Sequence, residues 1–269
     1  MTVFLARQER FAVVGSTNDV VRDWLAAGTA EVCLAVADEQ TAGRGREGRT
    51  WQAPAGHALL LSLGFRPTWL APEKVWRLAA IVSVAMAEAG EFMAGVAPGS
   101  ISLKWPNDLV VDDRGTVRKL AGVLGETAGL GTPHGWAVVG LGINADWPVE
   151  EFPSDLADAM TSLAAIGSRR IHEDELLEAF LASLEPRFDA LHAGAFDGAE
   201  WADRQVTTGR DIELSGPDGA VFQARATGVD VETGALVIEE SLGRGRSVFV
   251  GDVRHARISD TTAVTGAGV

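Results

Sequence analysis

The sequence predicts a mixed α/β protein with a large first unit and a small all-β unit at its C-terminal end. In the first part of the chain, apolar strand-like runs alternate with helical stretches. After about Thr208 the pattern changes to short alternating strands joined by glycine-containing turns. The length of 269 residues is long for one domain and short for three. We therefore expect domains at residues 1–207 and 208–260 and a disordered tail at 261–269.

The first elements of the large unit follow from apolar pattern and turn residues. RFAVVG predicts a strand, and STNDVVRDWLAAG predicts a helix in which Ser16 forms a weak capping box with Asp19. EVCLAVAD and HALLLSLGF predict buried strands on either side of an arginine-rich loop. Pro72 then opens a long helix that ends near Gly95.

Strands separated by turns follow from residue 101 onward. ISLKW, LVVD, KLAGVLGET and GWAVVGLGI predict four strands, and residues 145–158, with two prolines and five carboxylates, predict a surface loop. DELLEAFLASLEPRFDALHAG predicts an amphipathic helix that is bent or broken near Pro186. The short strands after Thr208 predict a small barrel of about 50 residues.

Composition excludes several classes of protein. The formal net charge of −14 opposes nucleic acid as the main ligand, because phosphate contacts need a basic face. The N-terminus carries no signal-peptide pattern, and the longest apolar stretch is too short and too charged to span a bilayer. Cys33 cannot form an internal disulfide and is interpreted as a small core side chain. We expect a cytoplasmic protein that binds neither membrane nor nucleic acid.

The stretch EQTAGRGREGRTW is the basic exception in this acidic chain. Its glycines at 43, 45 and 48 match G-x-G-x-x-G after a strand, but no helix follows and no acidic residue lies at the spacing that a dinucleotide site requires. Two interpretations remain from this segment alone. It is a solvated loop, or it is a site where Arg44, Arg46 and Arg49 bind an anion that orders the loop.

The lysines give a second signal. The chain has only three, and two of them, Lys104 and Lys119, lie in SLKWPNDLVVDDRGTVRKLAGVLGE at the ends of predicted strands. A hairpin with a solvent-reaching lysine is the structural alternative for this piece.

Five motifs together carry a resemblance to a known family. GSTND, QTAGRGREGRTW, LKWPNDL, RKLAGVLGE and GLGIN occur in this order, and over residues 9–258 the chain resembles the biotin–protein ligases. The resemblance implies an α/β (α+β) fold with a mixed-sheet catalytic domain like that of class II aminoacyl-tRNA synthetases. It also implies a C-terminal SH3-like barrel, in agreement with the strands expected there.

The resemblance also implies the reaction. Biotin and ATP would form biotinyl-5′-AMP, and the biotinyl group would pass to a lysine of a biotin carboxyl carrier protein. Mg²⁺ would assist, and the implied enzyme is a biotin–[biotin carboxyl-carrier protein] ligase. No protein nucleophile is needed, because two anions are joined by positioning and by cations. A homodimer is compatible with this family.

Site residues carry over motif by motif. The implied catalytic residues are Lys119, Arg46 and Arg49. The implied biotin-binding residues are Ser16, Thr17, Asn18, Gln40, Arg44, Gly45, Arg46, Lys119 and Gly122. The implied nucleotide and phosphate residues are Arg49, Trp51, Lys104, Asn107, Asp108, Gly142 and Asn144, with Asp108 also a metal ligand. The arginine loop would be a lid that is loose without ligand, and residues 145–158 a second loop over adenine.

Three alternatives accompany this assignment. A lipoate or octanoate ligase or transferase shares the fold but would carry a different basic motif. A biotin-sensing repressor would need a helix-turn-helix domain, for which the fourteen residues before Gly15 are too few. A non-catalytic biotin-binding module is disfavoured by the presence of Lys119, Arg44, Arg46 and Asp108.

Overall fold

The computed structural model of the protein describes residues 4–113, 115–216, 218–240, 243–250 and 255–258. The predicted tail at 261–269 lies outside these residues. Within the described part of the chain, no helix is both long and apolar enough to cross a membrane.

The large unit is built on a seven-stranded mixed sheet in the order β1-β2-β3-β7-β6-β5-β4. The first two strands pair in parallel and all other neighbours are antiparallel. The strands are β1 (Arg7–Val14), β2 (Cys33–Gln40), β3 (Ala58–Phe65), β4 (Ser102–Lys104), β5 (Asp108–Asp113), β6 (Thr116–Ala128) and β7 (Trp136–Asn144). All of these strands were predicted, although β1 begins earlier than expected.

In the described residues, five α-helices accompany the sheet. They are α1 (Thr17–Ala26), α2 (Trp76–Ala94), α3 (Leu163–Gly167), α4 (Glu173–His192) and α5 (Gly198–Asp203). A short 3₁₀ turn over Pro72–Lys74 precedes α2, and Gly95 ends that helix in the left-handed conformation (φ 69°), as expected for a glycine after the last turn.

The two faces of the sheet are covered differently, because successive strand residues point to opposite sides. On one face Leu34 and Val36 join the main core beneath α2 and α4. On the other face Cys33 and Ala35 pack with Val21, Trp24 and Leu25 of α1. Cys33 is fully buried, which confirms its expected place in the core, and burial raises the pKa of its thiol to about 11. Helix α1 covers only part of its face, and the uncovered part holds the site described below.

The C-terminal unit is a five-stranded antiparallel sheet in the order β11-β10-β9-β8-β12. Its strands are β8 (Asp211–Ser215), β9 (Val221–Val229), β10 (Leu236–Glu239), β11 (Gly245–Val248) and β12 (His255–Ile258). Its core includes Trp105, which comes from the β4–β5 turn of the large unit. The Trp105 indole N–H donates to the Gly234 carbonyl at 3.1 Å. The C-terminal sheet is therefore attached to the turn that follows Lys104.

Two local expectations differ from the structure. The helix that was expected to be bent or broken near Pro186 is not broken there, because α4 runs through this residue and buries a continuous apolar face that includes Leu184 and Phe188. Ser16 has the extended backbone of an N-cap but makes no side-chain capping bond, and the Asp19 carboxylate turns to Arg44 instead. The predicted loop at 145–158 is confirmed, with one 3₁₀ turn at Val149–Glu151.

Candidate active site

The candidate active site is a cavity of about 270 Å³ on the sheet face beside α1. Its floor is formed by three glycines, Gly140 and Gly142 of β7 and Gly122 of β6. They lie on the same face of the sheet, because Gly122 is directly opposite Gly142 on the neighbouring strand and Gly140 is two residues from Gly142 on the same strand. Ser62 of β3 is opposite Gly140. Alternate glycines on one strand leave its exposed face without side chains. The motifs GLGIN and LAG therefore supply an open floor.

The glycine floor lets two side chains lie directly on the sheet. A Cβ added to Gly142 would lie 2.6 Å from the Trp51 ring, and one added to Gly140 would overlap the Asn18 amide. Trp51 Nε1 is buried and has no hydrogen-bond partner among the described residues. Larger residues at these two positions would displace Trp51 and Asn18 from the cavity wall.

One end of the cavity is a buried cluster of uncharged polar groups. Gln40 Oε1 accepts hydrogen bonds from the backbone N–H and the hydroxyl of Thr17, at 2.7 and 3.0 Å. The hydroxyl of Ser62, fully buried, lies 2.6 Å from Asn18 Oδ1. Asn18 Nδ2 is buried without a partner in the described part of the chain. An unpaired buried donor is costly, so this end of the cavity suits a ligand with a hydrogen-bond acceptor.

The glycine–arginine loop covers the cavity and is fixed by backbone bonds. Gly45 N–H donates to the Arg49 carbonyl at 2.7 Å, and Trp51 N–H donates to the Gly43 carbonyl at 3.0 Å. Arg46 donates to the backbone carbonyl of Val250 in the C-terminal unit at 3.1 Å. Burial lowers the pKa of Arg46, with Glu47 and Asp108 acting in the opposite direction.

The sequence predicted that an anion orders this loop by binding its arginines, but Arg44 already has charged partners within the protein. Its guanidinium forms two hydrogen bonds with Asp19, at 2.8 and 2.9 Å, and a third with Glu126 at 3.3 Å. Repulsion among the loop arginines is therefore offset in part by carboxylates of α1 and β6. The structure brings Arg44 into the cavity wall but pairs its charged group with the protein itself.

The other end of the cavity holds two lysines around one carboxylate. Lys119 Nζ lies 2.6 Å from Asp108 Oδ1, and Lys104 Nζ lies 3.9 Å from Oδ2 of the same group. Burial lowers the pKa of Lys104, and Asp108 opposes that shift. Lys119 also lies 5.5 Å from the centre of the Trp51 ring. Two ammonium groups thus converge on one place in the cavity.

Local backbone irregularity positions Lys119. The register between β5 and β6 shifts where Val110 pairs with Lys119 and Leu109 pairs with Ala121, so Leu120 is an extra residue. Such bulges redirect side chains at the edge of a site. Two hydrogen bonds also fix the backbone of Lys119 to the residues that follow the 145–158 loop. The Lys119 N–H donates to the Ala159 carbonyl at 2.8 Å, and the Thr161 N–H donates to the Lys119 carbonyl at 2.9 Å.

Asp108 was expected to bind a metal ion, and the described residues give it other partners. Both of its oxygens face lysine ammonium groups. Among the described residues no group of three His, Cys, Asp or Glu side chains could hold a metal ion. The donor set does not fit a site built from protein ligands alone.

The cavity is strongly cationic within an acidic protein. Six cationic side chains line it against two carboxylates, Asp108 and Glu47: Arg44, Arg46, Arg49, Lys104, Lys119 and Arg257. With a formal charge of −14 on the whole chain, this concentration is a local feature suited to polyanions.

Nearly all of the predicted site residues meet in this one cavity. Those that line it are Ser16, Thr17, Asn18, Gln40, Arg44, Gly45, Arg46, Arg49, Trp51, Lys104, Asn107, Asp108, Lys119, Gly122 and Gly142. Asn144 does not line it, because its buried amide donates to the Thr161 carbonyl at 2.8 Å.

Sequence reasoning missed several residues in or beside the cavity, among them Arg257 in its lining and Ser62 behind Asn18. Arg257 reaches the cavity from β12, and no local motif marks it. Ser62 lies within an apolar strand, where a single polar residue opposite Gly140 was the available signal.

Comparisons with known proteins agree with this geometry. Residues 11–144 match the family described as biotin/lipoate A/B protein ligase. The chain is 31% identical over 249 residues to the biotin–[acetyl-CoA-carboxylase] ligase of Mycobacterium tuberculosis, covering 91% of this chain and 88% of that protein. It is 29% identical over 233 residues to the bifunctional ligase/repressor BirA of Bacillus spizizenii, covering 86% and 69%.

A solved structure also shows similarity to biotin protein ligases. The biotin protein ligase of Aquifex aeolicus, in complex with biotin and ATP, superimposes with a TM-score of 0.77 at 25% identity, covering 94% of this chain and 99% of that one. Fold, cavity and relatives define a ligase that handles an acid and a nucleotide. The chain belongs to the biotin–protein ligases of the biotin/lipoate A/B protein ligase family.

Proposed function

We propose that this protein activates biotin with ATP to biotinyl-5′-AMP and transfers the biotinyl group to a lysine of a biotin carboxyl carrier protein. The observation that carries the proposal is the division of one cavity into an uncharged polar end and a cationic end. Biotin has the same division, with a neutral ureido ring at one end and a carboxylate at the other.

The polar end is assigned to the ureido ring. Asn18 Nδ2 offers an unpaired buried donor, and the Thr17, Gln40 and Ser62 cluster fixes that amide in place. Ser16, Gly45 and Gly122 also line the cavity, and we assign them to biotin. An acceptor on the ligand would remove the cost of the orphan donor.

The cationic end is assigned to adenylation. A carboxylate oxygen of biotin attacks the α-phosphorus of ATP, the bond from that phosphorus to the bridging oxygen breaks, and pyrophosphate leaves. Lys119, Arg46 and Arg49 compensate the repulsion between the two anions as they approach. Lys104 and Asn107 are assigned to the phosphates, and Trp51 with Gly142 to the nucleotide side.

Mg²⁺ is assigned to the substrate rather than to the protein. It binds proteins through one or two carboxylates together with substrate phosphates, so it would arrive bound to ATP. Asp108 is the carboxylate that faces the phosphates, and an arriving ion would compete with Lys119 and Lys104 for it.

In the second step the amine of the acceptor lysine attacks the acyl carbon of the mixed anhydride. The bond to the phosphate oxygen breaks, AMP leaves, and the amine loses a proton. The glycine–arginine loop keeps water from the anhydride before the acceptor arrives. The 145–158 segment is proposed to close over adenine, since it leads directly to residues 159–161, which hydrogen-bond to the backbone of Lys119.

The domain assignment remains part of this proposal. A boundary near residues 207 and 208 is supported by the pairing of residues 204–206 with β4, immediately before the second sheet begins. We assign that sheet to an SH3-like domain reaching residue 260. We also propose that the protein is cytoplasmic, that it has no nucleic-acid or membrane partner and that it can form a homodimer.

Ligand-dependent stability tests the substrate. Biotin is expected to raise the thermal midpoint alone, and Mg²⁺–ATP to raise it further, because a ligand that binds only the folded form stabilises it by mass action. The rise is measured by calorimetry over a range of ligand concentrations, with lipoate and octanoate as matched acids. Stabilisation by lipoate or octanoate but not by biotin would assign the site to the other branch of the family.

A further inference from the structure

An ion cluster of Arg44, Asp19 and Glu126 connects the glycine–arginine loop to the rest of the large unit. We propose that Asp19 and Glu126 are positioning residues that hold the loop closed by binding Arg44, so that Arg44 anchors the loop and leaves anion binding to Arg46, Arg49 and Lys119. The effect on the adenylate rests on the proposed function, whereas the effect on the loop does not.

The geometry of the Arg44–Asp19 pair is bidentate. Arg44 Nη1 donates to Asp19 Oδ2 at 2.8 Å, and Nη2 donates to Oδ1 at 2.9 Å. Nη2 also donates to Glu126 Oε1 at 3.3 Å. A planar guanidinium that meets both oxygens of a carboxylate has little freedom to turn toward another ligand. Both terminal nitrogens of Arg44 are therefore committed to the protein.

The cluster joins three separate elements. Asp19 lies in the first turn of α1, directly after the polar residues Thr17 and Asn18, and Glu126 lies on β6. Closing the loop thus fixes it to the helix that presents the polar end of the cavity. Opening the loop would have to break both contacts.

The electrostatics support a pair that persists near neutral pH. Hydrogen bonding to Arg44 lowers the pKa of Asp19, and Arg22 contributes from 2.8 Å in the same helix. A carboxyl whose pKa is depressed in the folded state stabilises that state above its unfolded pKa and loses this contribution as the pH falls. The side chains of Arg44 and Asp19 are 36% and 35% exposed, so solvent and salt screen the attraction.

Limited proteolysis measures the loop without any substrate. Trypsin needs a locally opened, extended segment to cleave after Arg44, Arg46 or Arg49, so we expect the rate of cleavage to follow the open population of the loop. Asp19→Asn keeps the shape of the side chain and removes its charge. We expect cleavage at these sites to rise roughly three- to fivefold, the upper range for an exposed but bidentate pair. Glu126→Gln should give a smaller rise, since it removes one longer bond.

Asp23→Asn is the matched control. Asp23 lies on the same helix, is 77% exposed at its side chain and lies 3.9 Å from the Arg22 guanidinium. Its cleavage rate should match that of wild type, and 0.5 M salt should reduce the difference between Asp19→Asn and wild type. Equal cleavage of the Asp19→Asn and wild-type proteins, or an equal rise in the Asp23→Asn variant, would overturn the proposal.

A second readout connects the loop to catalysis. If the proposed function holds, Asp19→Asn should release biotinyl-5′-AMP faster by the same factor while the rate of adenylate formation at saturating biotin stays close to wild type. If the Asp19→Asn variant is cleaved faster but neither it nor wild type forms an adenylate, the role of Asp19 in anchoring the loop is supported and the proposed function is refuted. Unchanged cleavage with normal adenylate formation would refute the anchor alone.

Discussion

Lys119→Ala should reduce biotin-dependent adenylate formation by about 10²–10³-fold, the usual effect of removing one fixed group that stabilises developing charge. Lys119 is held at the cationic end of the cavity by Asp108 at 2.6 Å, by the β6 bulge and by hydrogen bonds on both sides of its backbone. Its side chain is 38% exposed, so little packing is lost. The rate is measured as biotin-dependent exchange between ATP and labelled pyrophosphate.

Lys74→Ala provides a matched control for this variant. Lys74 is 39% exposed and lies on the 3₁₀ turn before α2, outside the cavity lining. It should exchange pyrophosphate at the wild-type rate, and both variants should melt within a few degrees of wild type, in line with loss of one exposed ion pair. Near-normal exchange by the Lys119→Ala protein would remove this lysine from the mechanism.

Arg46→Gly should form biotinyl-5′-AMP and release it early, so that lysines of unrelated proteins become labelled. Arg46 donates to the Val250 carbonyl and lies in the cavity wall, where it connects the closed loop to the C-terminal unit. A hydrogen bond to a charged group contributes about 1.5–3 kcal/mol, which corresponds to roughly a tenfold to hundredfold faster escape of the adenylate. Single-turnover dissociation of labelled adenylate gives this rate.

Two further variants separate the loss of the Arg46 guanidinium from the backbone freedom that a glycine adds to the loop. Arg46→Ala removes the guanidinium without adding the backbone freedom of glycine, and it should release adenylate at a similar rate. Arg169→Gly, at an exposed position between α3 and α4, should behave like wild type. An off-rate for Arg46→Gly within about twofold of wild type would mean that Arg46 does not hold the loop closed, since even one weak charged bond predicts more.

Much of the fold could be predicted from local patterns. Buried runs such as EVCLAVAD and HALLLSLGF are apolar over the length of a strand, and Gly95 marks the end of α2 by its left-handed backbone. The site could be predicted from the five motifs because each is short and contiguous. Their meeting in one cavity follows from the sheet register, which places Gly122 opposite Gly142 and Ser62 opposite Gly140.

What the sequence did not reveal depends on contacts between distant residues. Arg44 meets Asp19 across 25 positions and Glu126 across 82, so no local pattern predicts the pairing. Arg257 reaches the cavity only because the C-terminal sheet packs around Trp105. Pro186 remains inside α4 because packing of the helix face against the core outweighs the loss of one backbone hydrogen bond.

The most direct test of the account is acid-dependent activation of ATP by the whole protein. The protein is incubated with Mg²⁺, α-labelled ATP and either biotin, lipoate or octanoate, and the protein-bound adenylate is separated and counted before a biotin carboxyl carrier domain is added. We expect a labelled adenylate with biotin alone, and loss of the label as AMP when the carrier lysine is biotinylated. An adenylate formed with lipoate or octanoate and not with biotin, or no adenylate with any of the three acids, would contradict the proposed function.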